Sequence, residues 1–185
     1  YKNKEGYSTT GKNAEQYWLR DSINNLHVND LRYDVFEKKY KEQILKRINE
    51  AELFKQNDEK KCLSPICAWT VIGEENSYHT IHDHGGFFNG ISTVLYLEVP
   101  DTNVEDESEN NIFIITNVGQ KNPLYQESIP PYLTINPEVG KLLIFPCWLP
   151  HGTHPQTKGV RQTFNVDFKI DIVRDIINQK KFSYK

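Results

Sequence analysis

The stretch GKLLIFPCWLPHGTHPQTKGVRQTFNVDF, residues 140–168, holds three kinds of strand signal in succession. Lys141–Phe145 is a short apolar run closed by Pro146, as expected of a strand buried on both faces. A Pro-flanked segment follows, with room for one short strand around His151. From Arg161 the chain alternates. Arg161, Thr163, Asn165 and Asp167 fall on one face, and Phe164, Val166 and Phe168 on the other. Such runs, punctuated by Gly and Pro, are the pattern of an all-β domain.

Outward from there the same pattern recurs back to Pro65. Further strands are expected at Ile66–Ile72, Ser77–His82, Ile91–Val99, Asn111–Val118 and Tyr132–Asn136, with the last strand running Arg161–Val173. Eight strands separated by turn signals indicate a mainly β chain, built as a sandwich or barrel. The DTNVEDESENN run (101–111) reads as an exposed hairpin loop; its five carboxylates lack the spacing of a calcium loop. Before Pro65 the periodicity is helical. Asp34 and Glu37 fit an N-cap and its partner, and Val35, Phe36, Tyr40, Ile44, Leu45, Ile48 and Ala51 form one apolar face. A weaker amphipathic stretch, Ala14 to Asn25, is expected to add a second support helix. The organisation expected is an arm with support helices (1–64), a β core (65–174) and a tail (175–185), within one domain.

Composition narrows the function classes. With 185 residues and 12% aromatics, the chain can fill one core although only 37% of it is hydrophobic, so general disorder is excluded. No apolar run approaches the ~20 residues that span a bilayer, so no membrane partner is expected. A net charge of -3 argues against a nucleic-acid partner. Three cysteines are too few and odd in number for a disulfide framework, which favours a reducing, cytoplasmic setting. The chain has no Met and starts at Tyr1, from which the natural N-terminus is expected to lie outside it. Oligomeric state is not legible.

Five of the six histidines fall in two clusters, SYHTIHDHGG (77–86) and FPCWLPHGTH (145–154). On an extended chain His82 and His84 point to one side, while Asp83 points away. His151, 69 residues later, is the natural third ligand, giving a facial metal site with open positions for substrate and dioxygen. His79 and His154 read as supporting or surface residues. Arg161 follows His151 by ten residues; inside a barrel its guanidinium needs an anion, and it can grip a carboxylate bidentately while Thr163 adds a hydroxyl.

These residues resemble a family. The order His-x-(acid or His), a distant His, then Arg with Ser or Thr two further on, is similar to the iron(II)/2-oxoglutarate-dependent dioxygenases. The segments around Trp69, IHDHGG, ISTVLYLEVP, GKLLIFPCWLPH and RQTFNVDF, within residues 66–170, resemble small bacterial and phage oxygenases of that superfamily. The resemblance implies a double-stranded β-helix (jelly-roll, cupin-like) with N-terminal support helices. It implies iron(II) as metal and 2-oxoglutarate as co-substrate, with hydroxylation of a C–H bond and release of succinate and carbon dioxide. His82 and His151 match its metal histidines, and Arg161 its carboxylate-binding arginine. Thr163 matches the small hydroxyl residue, and Tyr96 stands where several relatives hold the same carboxylate.

One position departs from the pattern. The third ligand of the family is an Asp or Glu; here that position is His84, with Asp83 adjacent. His84 is the favoured ligand and Asp83 the alternative. The GGFFNG segment (85–90) is expected to form a lip in which Phe87 and Phe88 touch substrate or plug the mouth. The substrate, a small molecule or a peptide, is not identified. Two other readings stay open: a cupin-like three-His dioxygenase that uses no 2-oxoglutarate, and a non-catalytic β-sandwich binding module.

Overall fold

The computed structural model describes residues 14–19, 34–50, 61–85, 90–100, 111–115 and 132–172. Its strands are β1 (Ala14–Trp18), β2 (Lys61–Gly73), β3 (Gly90–Glu98), β4 (Ile112–Ile115), β5 (Tyr132–Ile135), β6 (Leu142–Pro146), β7 (His151–Thr153) and β8 (Arg161–Ile172). They form two antiparallel sheets, of order β1-β2-β8-β3-β6 and β5-β4-β7. The chain is mainly β, as its alternation requires.

The alternation of β8 divides the molecule. Val166 and Phe168 turn outward into a core shared with Leu63, Ala68 and Ile91. That core is capped by a helical segment, a π-helical stretch Asp34–Lys41 that continues as α1 (Glu42–Glu50). Phe36, Tyr40, Ile44 and Ile48 are four residues apart, which keeps all of them on the packed face; Phe36 and Phe168 stack at 6.2 Å. Tyr40 donates to Thr93 Oγ1 at 2.8 Å, since that hydroxyl already donates to the Val166 carbonyl. Burial raises the Tyr40 phenol to about 12. A smaller core of Ile112, Ile114 and Phe145 packs with Val94 and Leu143. Among the described residues no helix is long and apolar enough to cross a membrane.

Four expectations need correction. Ala14–Trp18 is not helical but an edge strand, paired with β2 from Ala14↔Gly73 to Trp18↔Trp69; the ladder offered by β2 outweighs a weak helical pattern. The strand expected from Ile66 begins at Lys61, running past a bulge between Pro65 and Cys67. Ser77–His82 forms no strand: its backbone meets residues 151–156 through single contacts, among them Thr153 N–H to the His79 carbonyl (3.1 Å). The Glu37 side chain bonds Lys41 at 2.6 Å, and Val35, expected on the apolar face, is exposed. The acidic residues 101–110, the lip residues 86–89 with Phe87 and Phe88, and the tail from 173 lie outside the described residues, as do 20–33.

Candidate metal centre and co-substrate pocket

The inner faces of β2, β3 and β8 line a cavity of about 240 Å³. At its centre the sequence-distant histidines meet. His82 and His151 are joined by an isolated bridge, each N–H donating to the other's carbonyl at 2.9 Å. His84 N–H donates to the Cys147 carbonyl at 2.8 Å. The extended chain from 82 to 84 thus lies along the 147–151 turn without belonging to a sheet. Ring centroids stand 4.4 Å apart for His82–His151, 5.0 Å for His84–His151 and 5.3 Å for His82–His84. One ring nitrogen from each lies within 4.8 Å of the others.

Hydrogen bonds fix which nitrogens are free to ligate. His82 Nδ1 is 2.7 Å from the Thr80 carbonyl, and His151 Nδ1 is 2.9 Å from the Leu149 carbonyl. A carbonyl only accepts, so both Nδ1 atoms carry the proton and both Nε2 atoms keep a lone pair. His84 Nδ1 is 3.0 Å from the buried Asp167 carboxylate and 2.8 Å from Ser92 Oγ. That bond fixes the same tautomer. Burial holds His82 below its ordinary value and His151 at about 4, so both stay neutral, each with a ring-nitrogen lone pair open to a metal. Three imidazoles with Nδ1 anchored form the donor set of a cation with nitrogen ligands. Asp83 is exposed and accepts the Gly85 N–H at 2.7 Å.

Arg161, Tyr96 and Thr163, expected from the sequence to bind an anion, line the same cavity. Arg161 is 5% exposed and donates to Thr153 Oγ1 at 3.2 Å. Burial lowers its pKa, opposed by Tyr96 beside it. Tyr96 is 3% exposed, pushed up to about 12 by burial, and pairs across the ladder with Thr163. Thr163 Oγ1 accepts from Asn165 Nδ2 at 3.0 Å. Arg161, Tyr96 and Thr163 thus converge beside the histidines.

Sequence reasoning left other members of the site without a role. Gln16 and Trp18 reach it from β1, and Trp18 packs on Trp69 at 5.5 Å, which in turn stands edge-on to His84 at 5.5 Å. No local pattern announces them, because β1 is recognisable only once β2 is in place. His79 also lines the cavity; its Nε2 is buried without a hydrogen-bond partner among the described residues. Burial, with Arg161 nearby, holds that ring at about 3.

Residues 67–167 match the family model described as "Putative 2OG-Fe(II) oxygenase". Among solved structures, a Pseudomonas putida prolyl-4-hydroxylase superposes with a TM-score of 0.52 at 14% identity, over 84% of this chain and 71% of that one. HygX from Streptomyces hygroscopicus, crystallised with nickel and 2-oxoglutarate, gives 0.51 at 12% identity, over 85% and 70%. A Burkholderia pseudomallei oxidoreductase of the 2OG-Fe(II) oxygenase family gives 0.52 at 12%, over 85% and 69%. At these identities the likeness is one of fold, the double-stranded β-helix. No curated protein matches the chain.

Proposed function

Because the chain belongs to the 2OG-Fe(II) oxygenase family, whose metal is iron(II) and whose co-substrate is 2-oxoglutarate, we propose that it hydroxylates a C–H bond of a small-molecule or peptide substrate. The observation that carries this reading is the meeting of three imidazoles, one ring nitrogen of each within 4.8 Å of the others, with a buried arginine in one cavity. Iron(II) with 2-oxoglutarate supplies oxidation of a C–H bond by dioxygen, coupled to formation of succinate and carbon dioxide.

The residues present fit that chemistry. His82, His84 and His151 hold the metal on one side, and their Nδ1 bonds prevent the rings from turning away. They are the catalytic ligands of this reading; Asp83, bonded to Gly85, is not among them. Arg161 grips the far carboxylate of 2-oxoglutarate, where a buried guanidinium gains an anion that offsets its lost hydration. Tyr96 and Thr163 add hydroxyls to the same carboxylate, with Tyr96 kept protonated as a donor by its burial. Trp18 and Trp69 wall the cavity beside His84 and exclude water there.

The test is anaerobic titration of iron(II), then 2-oxoglutarate, into the protein, followed by succinate release across candidate substrates. One iron bound, lost in His82→Ala and His151→Ala, with 2-oxoglutarate binding only to the iron form, is the expected result. Iron without 2-oxoglutarate binding would favour a three-His dioxygenase of another type. No iron at all would leave a binding module.

A further inference from the structure

Asp167 lines the same cavity and stands against His84. It is 5% exposed, on the cavity face of β8, while its neighbours Val166 and Phe168 serve the outer core. Both its oxygens lie 3.0 Å from His84 Nδ1. The Ser92 hydroxyl donates to it, and the Cys67 thiol donates at 3.4 Å. Three donors converge on one carboxyl group. Among the described residues its ion-pair partner is His84. A buried carboxylate is costly unless a positive charge answers it. As ligands, three imidazoles bring no negative charge of their own to a divalent cation.

We propose that Asp167 is a positioning residue of the metal centre, which through the His84 Nδ1–H supplies the negative charge that the three-imidazole set lacks. Hydrogen bonding to the carboxylate makes the opposite nitrogen of His84 a stronger donor than those of His82 and His151, whose Nδ1 atoms face neutral carbonyls. The Ser92 hydroxyl touches both the carboxylate and the His84 ring. The Cys67 thiol takes up part of the remaining acceptor capacity of the carboxylate.

The inference rests on the proposed three-histidine site, so the test separates the two. Iron(II) is titrated anaerobically into wild type, Asp167→Asn, His84→Asp and the double variant. Asp167→Asn is expected to bind iron about 10–100-fold more weakly, with the metal-free melting temperature held. When His84→Asp places a carboxylate on the metal directly, adding Asp167→Asn should change affinity by no more than about twofold. Equal losses in both backgrounds would make Asp167 a packing residue and overturn the proposal, as would no loss in either. Failure of wild type to bind iron would remove the three-histidine site itself. Nitrogen-15 histidine NMR of the wild type with zinc(II) in place of iron needs no variant. The His84 Nδ1–H proton should move further downfield on metal binding than those of His82 and His151; equal shifts would overturn the proposal even if Asp167→Asn does not fold.

Discussion

Arg161 carries the sharpest consequence of a single side chain. Its guanidinium is buried at the floor of the cavity, so removing it strands the co-substrate carboxylate at a cost of about 3–5 kcal/mol. Arg161→Ala should therefore lose at least about a hundredfold in 2-oxoglutarate affinity, and Arg161→Lys should recover only part of it, lacking the forked pair. Calorimetric titration into the iron(II) forms measures this, with iron affinity as the unchanged control. The histidines give a second expectation. His82 lies below 6.5, His151 at about 4 and His79 at about 3 when folded. The unfolded chain takes up protons from about 6.5 downward, while the folded chain does not until those lower values. Their contribution is complete above pH 6.5 and is lost as pH falls toward 4. Metal-free protein should lose up to about 1.4 kcal/mol per pH unit for each of His151 and His79 across that window, with His82 acting in the same direction. Urea unfolding at pH 7.5, 6 and 5 reads the slope, and a flat profile would contradict the burial of these rings.

Among the elements, β8 was the most legible in sequence and β1 the least. A strict alternation with four polar residues on one side can satisfy only a strand whose two faces meet different surroundings. The structure bears this out: Arg161, Thr163, Asn165 and Asp167 line the cavity, and Val166 and Phe168 are fully covered by the helix side. The convergence of His82 and His84 was readable from their spacing, although the segment bearing them is not a strand. Extended geometry alone sets the side. What could not be read is any property that depends on a distant partner. Trp18 enters the cavity only because β1 pairs with β2, and the task of Asp167 depends on the ring that reaches it from residue 84. The helix was readable from its four-residue spacing, and its packing makes a separate prediction. Ile44 is fully buried against the outer core, so Ile44→Ala should cost about 2–5 kcal/mol in stability. Denaturant unfolding measures that loss, while iron affinity at saturation of the folded form should stay within error, because the helix lies on the face of the sheet opposite the metal centre.

At the scale of the whole molecule, two sheets and two remote segments of chain have to agree before a metal can be held. His151 belongs to β7 of the small sheet, and His84 leans on Asp167 of the large one. The reciprocal pair of bonds between the His82 and His151 backbones is the seam between β7 and the segment that carries His82 and His84. A seam of two bonds opens as a unit, since breaking either leaves the other strained at the edge of a cavity. The amides of His82 and His151 should therefore exchange with deuterium at one common rate, faster than the central amides of β8, where the ladder is continuous on both sides. Metal should slow both by the same factor. Hydrogen exchange resolved to single amides measures the pair, and unequal protection would separate their fates. If they do open together, loss of the ion is not a slow leak from a rigid cage: its residence time is the waiting time for that seam to part.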